Sequence, residues 1–128
     1  MRSLPLRRAN IIDEIARRSV SRRFLQRRVA QAGLGILQAL RASNMSIEDA
    51  ENDLFNLDTY QAARRRRLHS DLIEFLEWGM ELQDVVRLVP GGLGDSYRSM
   101  EELLLNVISK SLGRSTRRRK QPSRRSAS

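Results

Sequence analysis

The chain has 128 residues, a formal net charge of +9, six aromatic side chains and no cysteine. That length fits one domain, and the missing cysteine excludes disulfides and thiolate metal sites. No window approaches the roughly 18 uncharged apolar residues of a membrane span, and the opening MRSLPLRR lacks the apolar run of a signal peptide, so the expected compartment is the cytoplasm.

The charge is unevenly spread. Residues 1–30 carry +7, residues 31–60 carry −4, residues 61–100 cancel and residues 101–128 carry +6. Of the basic residues only Lys110 and Lys120 are lysines. An arginine bias arises from phosphate or carboxylate recognition, and equally from GC-rich coding.

Residues 1–9 read as a basic arm and 10–113 as a single helical domain. Asn10, with Asp13 three positions on, predicts a capped helix from Ile11 to about Arg18. The Ser19-Val20-Ser21 patch interrupts it, and a longer helix runs to about Ala42. Its expected apolar face is Leu25, Val29, Ala32, Ile36, Leu37 and Leu40, with Gly33 and Gly35 permitting close helix packing. Ser43-Asn44 ends it. Ser46 and Asp49 then cap a short acidic helix, Ile47 to about Phe55. Asp58 and Gln61 predict another start, before a helix Tyr60–Leu68.

Ser70 is the expected cap of a helix running unbroken from Asp71 to Leu88, closed by Pro90-Gly91-Gly92. Gly91, Gly92 and Gly94 read as a connector: they follow a helix rather than a strand and lack the lysine of a phosphate loop. Asp95 or Ser99 opens the last helix, with a stripe of Tyr97, Met100, Leu104, Val107, Ile108 and Ser111-Leu112. Gly113 stands where helices commonly end. From Arg114 to Ser128 there is no large apolar residue, which predicts a disordered basic tail. No strand-like alternation occurs, so the expected fold is an all-α compact bundle of five to six helices.

Two surfaces are candidates for function. At 100° per residue, Glu74, Glu77, Glu81 and Asp84 fall within about 80° of each other on the predicted Asp71–Leu88 helix. Such a stripe is ordinarily a solvated face; here it is also a candidate partner-binding surface. Trp78, at the edge of the neighbouring apolar face, joins it, although burial in the core is the commoner fate of such a tryptophan. With no histidine at ligand spacing, the acids do not form a metal site. The second surface is basic: Arg17, Arg18, Arg22, Arg23, Arg27, Arg28, then Arg64, Arg65, Arg66 and Arg67, and in the tail Arg117, Arg118 and Arg119. Together they could hold phosphates. The ordinary reading is solvated charge, and no aromatics are interleaved with the arginines for base stacking.

His69 has no cysteine, second histidine or serine nucleophile motif to work with, so catalysis is not expected of it. No cofactor, metal or small-molecule substrate is indicated. The sequence therefore points to a protein that binds a protein partner, or itself, and does not catalyse; the alternative is a non-specific nucleic-acid-associated protein using its arginine-rich ends.

Two segments carry a family resemblance: Ser46-Ile47-Glu48-Asp49-Ala50-Glu51 with Leu54-Phe55-Asn56, and Trp78-Gly79-Met80-Glu81-Leu82-Gln83-Asp84-Val85 with Leu88-Val89-Pro90. In these the chain resembles a small family of uncharacterised bacterial proteins, a domain of unknown function of about a hundred residues. The arginine-rich ends depart from that pattern. The resemblance implies a small helical fold and no catalytic signature; by analogy, small bacterial proteins of this kind are often immunity or accessory factors.

Overall fold

The computed structural model describes Ile12 and residues 21–112, which form six helices and no strand. These are α1 (Arg22–Arg41), α2 (Ile47–Asp53), α3 (Leu57–Arg65), α4 (Ser70–Met80), α5 (Leu82–Leu88) and α6 (Leu93–Leu112). The fold is an all-α bundle. Of the predicted first helix only Ile12 is described: it is helical, fully buried and part of the core. The predicted basic tail, and the rest of the N-terminal arm and first helix, lie outside the described residues.

α6 is the centre of the bundle, with α1 and α4 both packed along it. Its stripe forms as the spacing predicts: Tyr97, Met100, Leu104 and Val107 are buried and Ile108 is partly so. Ser21 caps α1 by accepting from the Phe24 amide at 3.1 Å. The buried face of α1 is Leu25, Val29, Ala30, Gly33, Leu37 and Leu40. Ala30 and Gly33 thus enter the core, while the expected Ala32 and Ile36 are only partly covered. Only one of the two glycines serves close packing. A Cβ on Gly33 would sit 2.8 Å from Phe75 and 3.1 Å from Leu104, whereas Gly35 is exposed with nothing near it.

Several boundaries differ from the sequence reading. The third helix begins at Leu57, not Tyr60, because Asn56 is its cap: the side-chain oxygen accepts from the Thr59 amide at 2.9 Å and the Nδ2 donates to the Glu51 carbonyl at 2.8 Å. It ends at Arg65 rather than Leu68, because Arg67 takes a left-handed conformation, φ 57°. α4 is capped by His69 rather than Ser70, its Nδ1 accepting from the Asp71 amide at 2.9 Å. The predicted Asp71–Leu88 helix is two helices. At Glu81 the backbone leaves the helical region (φ −102°, ψ 3°) and its amide turns back to the Trp78 carbonyl at 3.1 Å. Gly79, the weakest helix former in the segment, lies directly under the ring of Phe55, which a Cβ would strike. Leu82 stays buried, but Val86, expected on the same face, is half exposed. α6 begins at Leu93, earlier than Asp95 or Ser99: Gly91 (φ 82°) reverses the chain and the Gly92 carbonyl accepts from the Ser96 amide at 3.1 Å.

Among the described residues no helix is long and apolar enough to cross a membrane.

Candidate partner-binding groove

The end of α3 and the length of α4 enclose a shallow groove of about 570 Å³. Arg64, Arg67 and Leu68 form one side; Ser70, Ile73, Glu74, Glu77, Trp78 and Glu81 form the other. Four of the five predicted partner-binding residues, Glu74, Glu77, Trp78 and Glu81, therefore share one surface. Their spacing of three or four residues turns them to the same side of α4. Trp78 is half-buried at the edge of the core, and its indole Nε1 donates to Glu74 at 3.4 Å. Asp84 does not join them. The break at Glu81 places it on α5, paired with Arg87 at 2.8 Å.

The arginine run supplies the facing wall. Arg64 donates to the Tyr60 hydroxyl at 3.2 Å, with its guanidinium carbon 5.7 Å from the Tyr60 ring centre, and that hydroxyl donates to Glu77 at 2.7 Å. These contacts, the hydroxyl first and the Glu77 charge last, hold the Arg64 guanidinium above its already high ordinary pKa. Among the described residues, no cation pairs with Glu74, Glu77 or Glu81 within ion-pair distance. The groove is thus apolar at its floor, acidic along α4 and basic at the α3 rim.

The other predicted basic residues divide. Arg22, Arg23, Arg27 and Arg28 lie on α1. The Arg22 guanidinium reaches the Arg67 carbonyl at 3.5 Å, and Arg28 donates to Gln31 at 3.3 Å. Arg65 and Arg66 each have a partner. Arg17, Arg18, Arg117, Arg118 and Arg119 lie outside the described residues.

Sequence reasoning missed Ile73 and Leu68 in the groove, since each reads equally well as core. It also missed a depression of about 400 Å³ between the α1–α2 loop and the start of α6, lined by Met45, Ile47, Asp49, Leu93 and Tyr97 among others. Burial raises the Tyr97 hydroxyl above the usual tyrosine pKa, against the opposing charge of Arg41. His69 has a structural task. Accepting from the Asp71 amide through Nδ1 puts the neutral ring's proton on Nε2. Nε2 therefore cannot accept from Lys110, whose Nζ lies 3.4 Å away. Among the described residues no group of histidines and acids could hold a metal ion.

The described residues form a small all-α bundle that carries a groove with an apolar floor, an acidic wall and a basic rim. The chain belongs to the family described as Protein of unknown function (DUF3969), which matches residues 21–120. The match extends on both sides of the Ser46–Pro90 stretch that carried the resemblance. It takes in the α1 arginines and Arg117, Arg118 and Arg119, so these are not additions outside the family's span. Comparison with curated proteins and with solved structures gave no match.

Proposed function

We propose that the protein acts by binding another protein, in the manner of a small bacterial immunity or adaptor factor, and that the α3–α4 groove holds the partner. One observation carries this reading: a half-buried tryptophan, an isoleucine and three glutamates lacking a cationic partner among the described residues lie side by side in a single depression. Binding energy at protein interfaces concentrates in a few aromatic and arginine anchors set in water-excluding pockets. The chemistry here suits a partner segment that presents basic side chains to Glu74 and Glu81 around an apolar one for Ile73 and Trp78.

A photo-crosslinking residue placed at Glu81, in cells, should capture one discrete protein. The same group at Leu105, exposed on α6, should not. Trp78→Ala should cut the yield by about tenfold or more, the scale of an interface anchor. Equal capture at both positions, or nucleic acid at Glu81, overturns the reading.

A second reading rests on its own observation. The Arg22–Arg67 contact lays the start of α1 against the end of α3, so two arginine segments share one end of the bundle. That clustering favours non-specific association with nucleic acid phosphates.

A further inference from the structure

We propose that, when no partner is bound, the groove holds the start of α1 from a second copy of the chain, with Phe24 as the anchor. This rests on the reading of the α3–α4 groove as the binding surface and names its occupant in the free protein.

The groove suits an apolar side chain set among basic ones, and α1 carries such a set. Phe24 is 40% exposed. At 3.6 residues per turn, Arg27 and Arg28 lie one turn further along α1, about 60° to one side of Phe24 and about 40° to the other. Arg28 donates to the neutral Gln31 side chain at 3.3 Å, and neither arginine forms an ion pair among the described residues. Glu74, Glu77 and Glu81 also lack one. The dimensions agree as well. Trp78 stands four residues from Glu74 and three from Glu81, about 4.5–6 Å along α4 in each direction. With α1 laid across α4, Phe24 meets Ile73 and Trp78, and the two arginines splay toward Glu74 and Glu81. Of the arginines at the groove's rim, Arg64 is turned onto Tyr60.

The occupant is a second copy because Phe24 is turned away from the groove of its own chain. Gln26 accepts from the His69 amide at 2.6 Å, and Arg22 reaches the Arg67 carbonyl at 3.5 Å. These two residues therefore face the α3–α4 corner. They stand about 160–200° around α1 from Phe24, which points to the opposite side. The donor face and the groove are thus different surfaces, and the contact between copies is head to tail. Each pair joined this way keeps one groove and one α1 face free. A partner protein competes for the same groove, so a chain that has lost its donor face leaves the groove open to that partner.

Two surfaces that differ can be disabled one at a time. Sedimentation equilibrium of the full chain should show a mass that rises with concentration at low salt and less so as salt screens the charges. Phe24→Ala should weaken the association by about tenfold or more, the scale of an interface anchor. Reversing the donor face (Arg27→Glu/Arg28→Glu) or the groove (Glu74→Lys/Glu81→Lys) should leave each variant monomeric. The intact α1 face of the second variant still fits the intact groove of the first. An equal mixture should therefore form a one-to-one dimer and nothing larger, a result that also requires both variants to be folded. A chain that stays monomeric up to about millimolar concentration overturns the proposal. So does association that survives either reversal, or a mixture of the two variants that does not pair. If association fails while Glu81 crosslinking still captures a different protein in a Trp78-dependent way, the groove reading stands without the second copy. If both fail, the groove reading falls with it.

Discussion

Gly33 and Gly35 stand two positions apart on α1 and do opposite things. At 33 the missing side chain is what lets α1 approach Phe75 and Leu104. At 35 the missing side chain only weakens the helix, since the position is exposed and open. Gly35→Ala should therefore stabilise the protein by about 0.5–1 kcal/mol, the propensity difference alone. Gly33→Ala gains the same propensity but drives a methyl into an aromatic ring, and should lose about 1–3 kcal/mol through overpacking. Chemical denaturation of the two variants tests the pair; equal shifts would mean that α1 does not sit against Phe75 as described. The sequence placed both glycines in a helix and could not separate them, because the difference lies in Phe75 and Leu104, 42 and 71 positions away. Trp78 was open for the same reason. Periodicity set it at the margin of an apolar face, and only the packing of α3 decides that the margin is a groove wall.

At the scale of elements, starts and ends fixed by side-chain chemistry were legible where the chemistry was ordinary. Ser46 caps α2 as the sequence predicts, accepting from the Asp49 amide at 3.0 Å, whereas at Ser21 the sequence showed only an interruption and the structure makes it the cap of α1. The ends that escaped are those made by unusual residues. α3 closes with paired backbone bonds, Leu68 to the Ala63 carbonyl at 3.1 Å and Arg67 to the Arg64 carbonyl at 3.0 Å. This is the Schellman arrangement, with arginine where glycine normally stands. α1 closes in the same way, with Ser43 left-handed at φ 60°. A non-glycine residue in that conformation costs about 1–2 kcal/mol, partly offset by the greater freedom glycine would have when unfolded. Arg67→Gly should raise stability by about 0.5–1 kcal/mol, a rise of roughly 2–8 °C in Tm for a domain of this size. A fall in Tm would show that the Arg67 side chain, not its backbone, holds the α3–α4 corner. The break at Glu81 was hidden for a different reason: a bend of one residue leaves the three- and four-residue spacing of Leu72, Phe75, Gly79 and Leu82 unbroken. It cost the acidic stripe its last member, Asp84.

For the molecule as a whole, charge decides between the two functional readings. Uncompensated positive charge accumulates toward the ends of the sequence, and the Arg22–Arg67 contact gathers two of the basic segments at one end of the bundle. Several of the described arginines are already engaged: Arg64 by Tyr60, Arg87 by Asp84, Arg98 by Asp95 at 2.8 Å and Arg41 by Glu101 at 2.9 Å, while Arg65 and Arg66 each have a partner. Such pairs leave the remaining basic surface able to attract phosphates, and among the described residues the ring that carries an arginine, Tyr60 under Arg64, is already tied to Glu77 through its hydroxyl. Nucleic-acid binding should therefore be non-specific. With about four to six phosphates neutralised, the log–log salt slope on duplex DNA should lie near −4 to −5, so binding present at low salt should collapse by roughly physiological ionic strength. Fluorescence anisotropy with two unrelated duplexes and one single strand, across a salt series, measures this. Neutralising Arg22, Arg23 and Arg27 on α1 together should reduce the slope by about one unit for each phosphate that is no longer neutralised while leaving Glu81 crosslinking to a protein partner intact. Tight binding that survives high salt, or a strong preference for one duplex, would move function from the groove to the basic end and make the nucleic-acid reading the primary one.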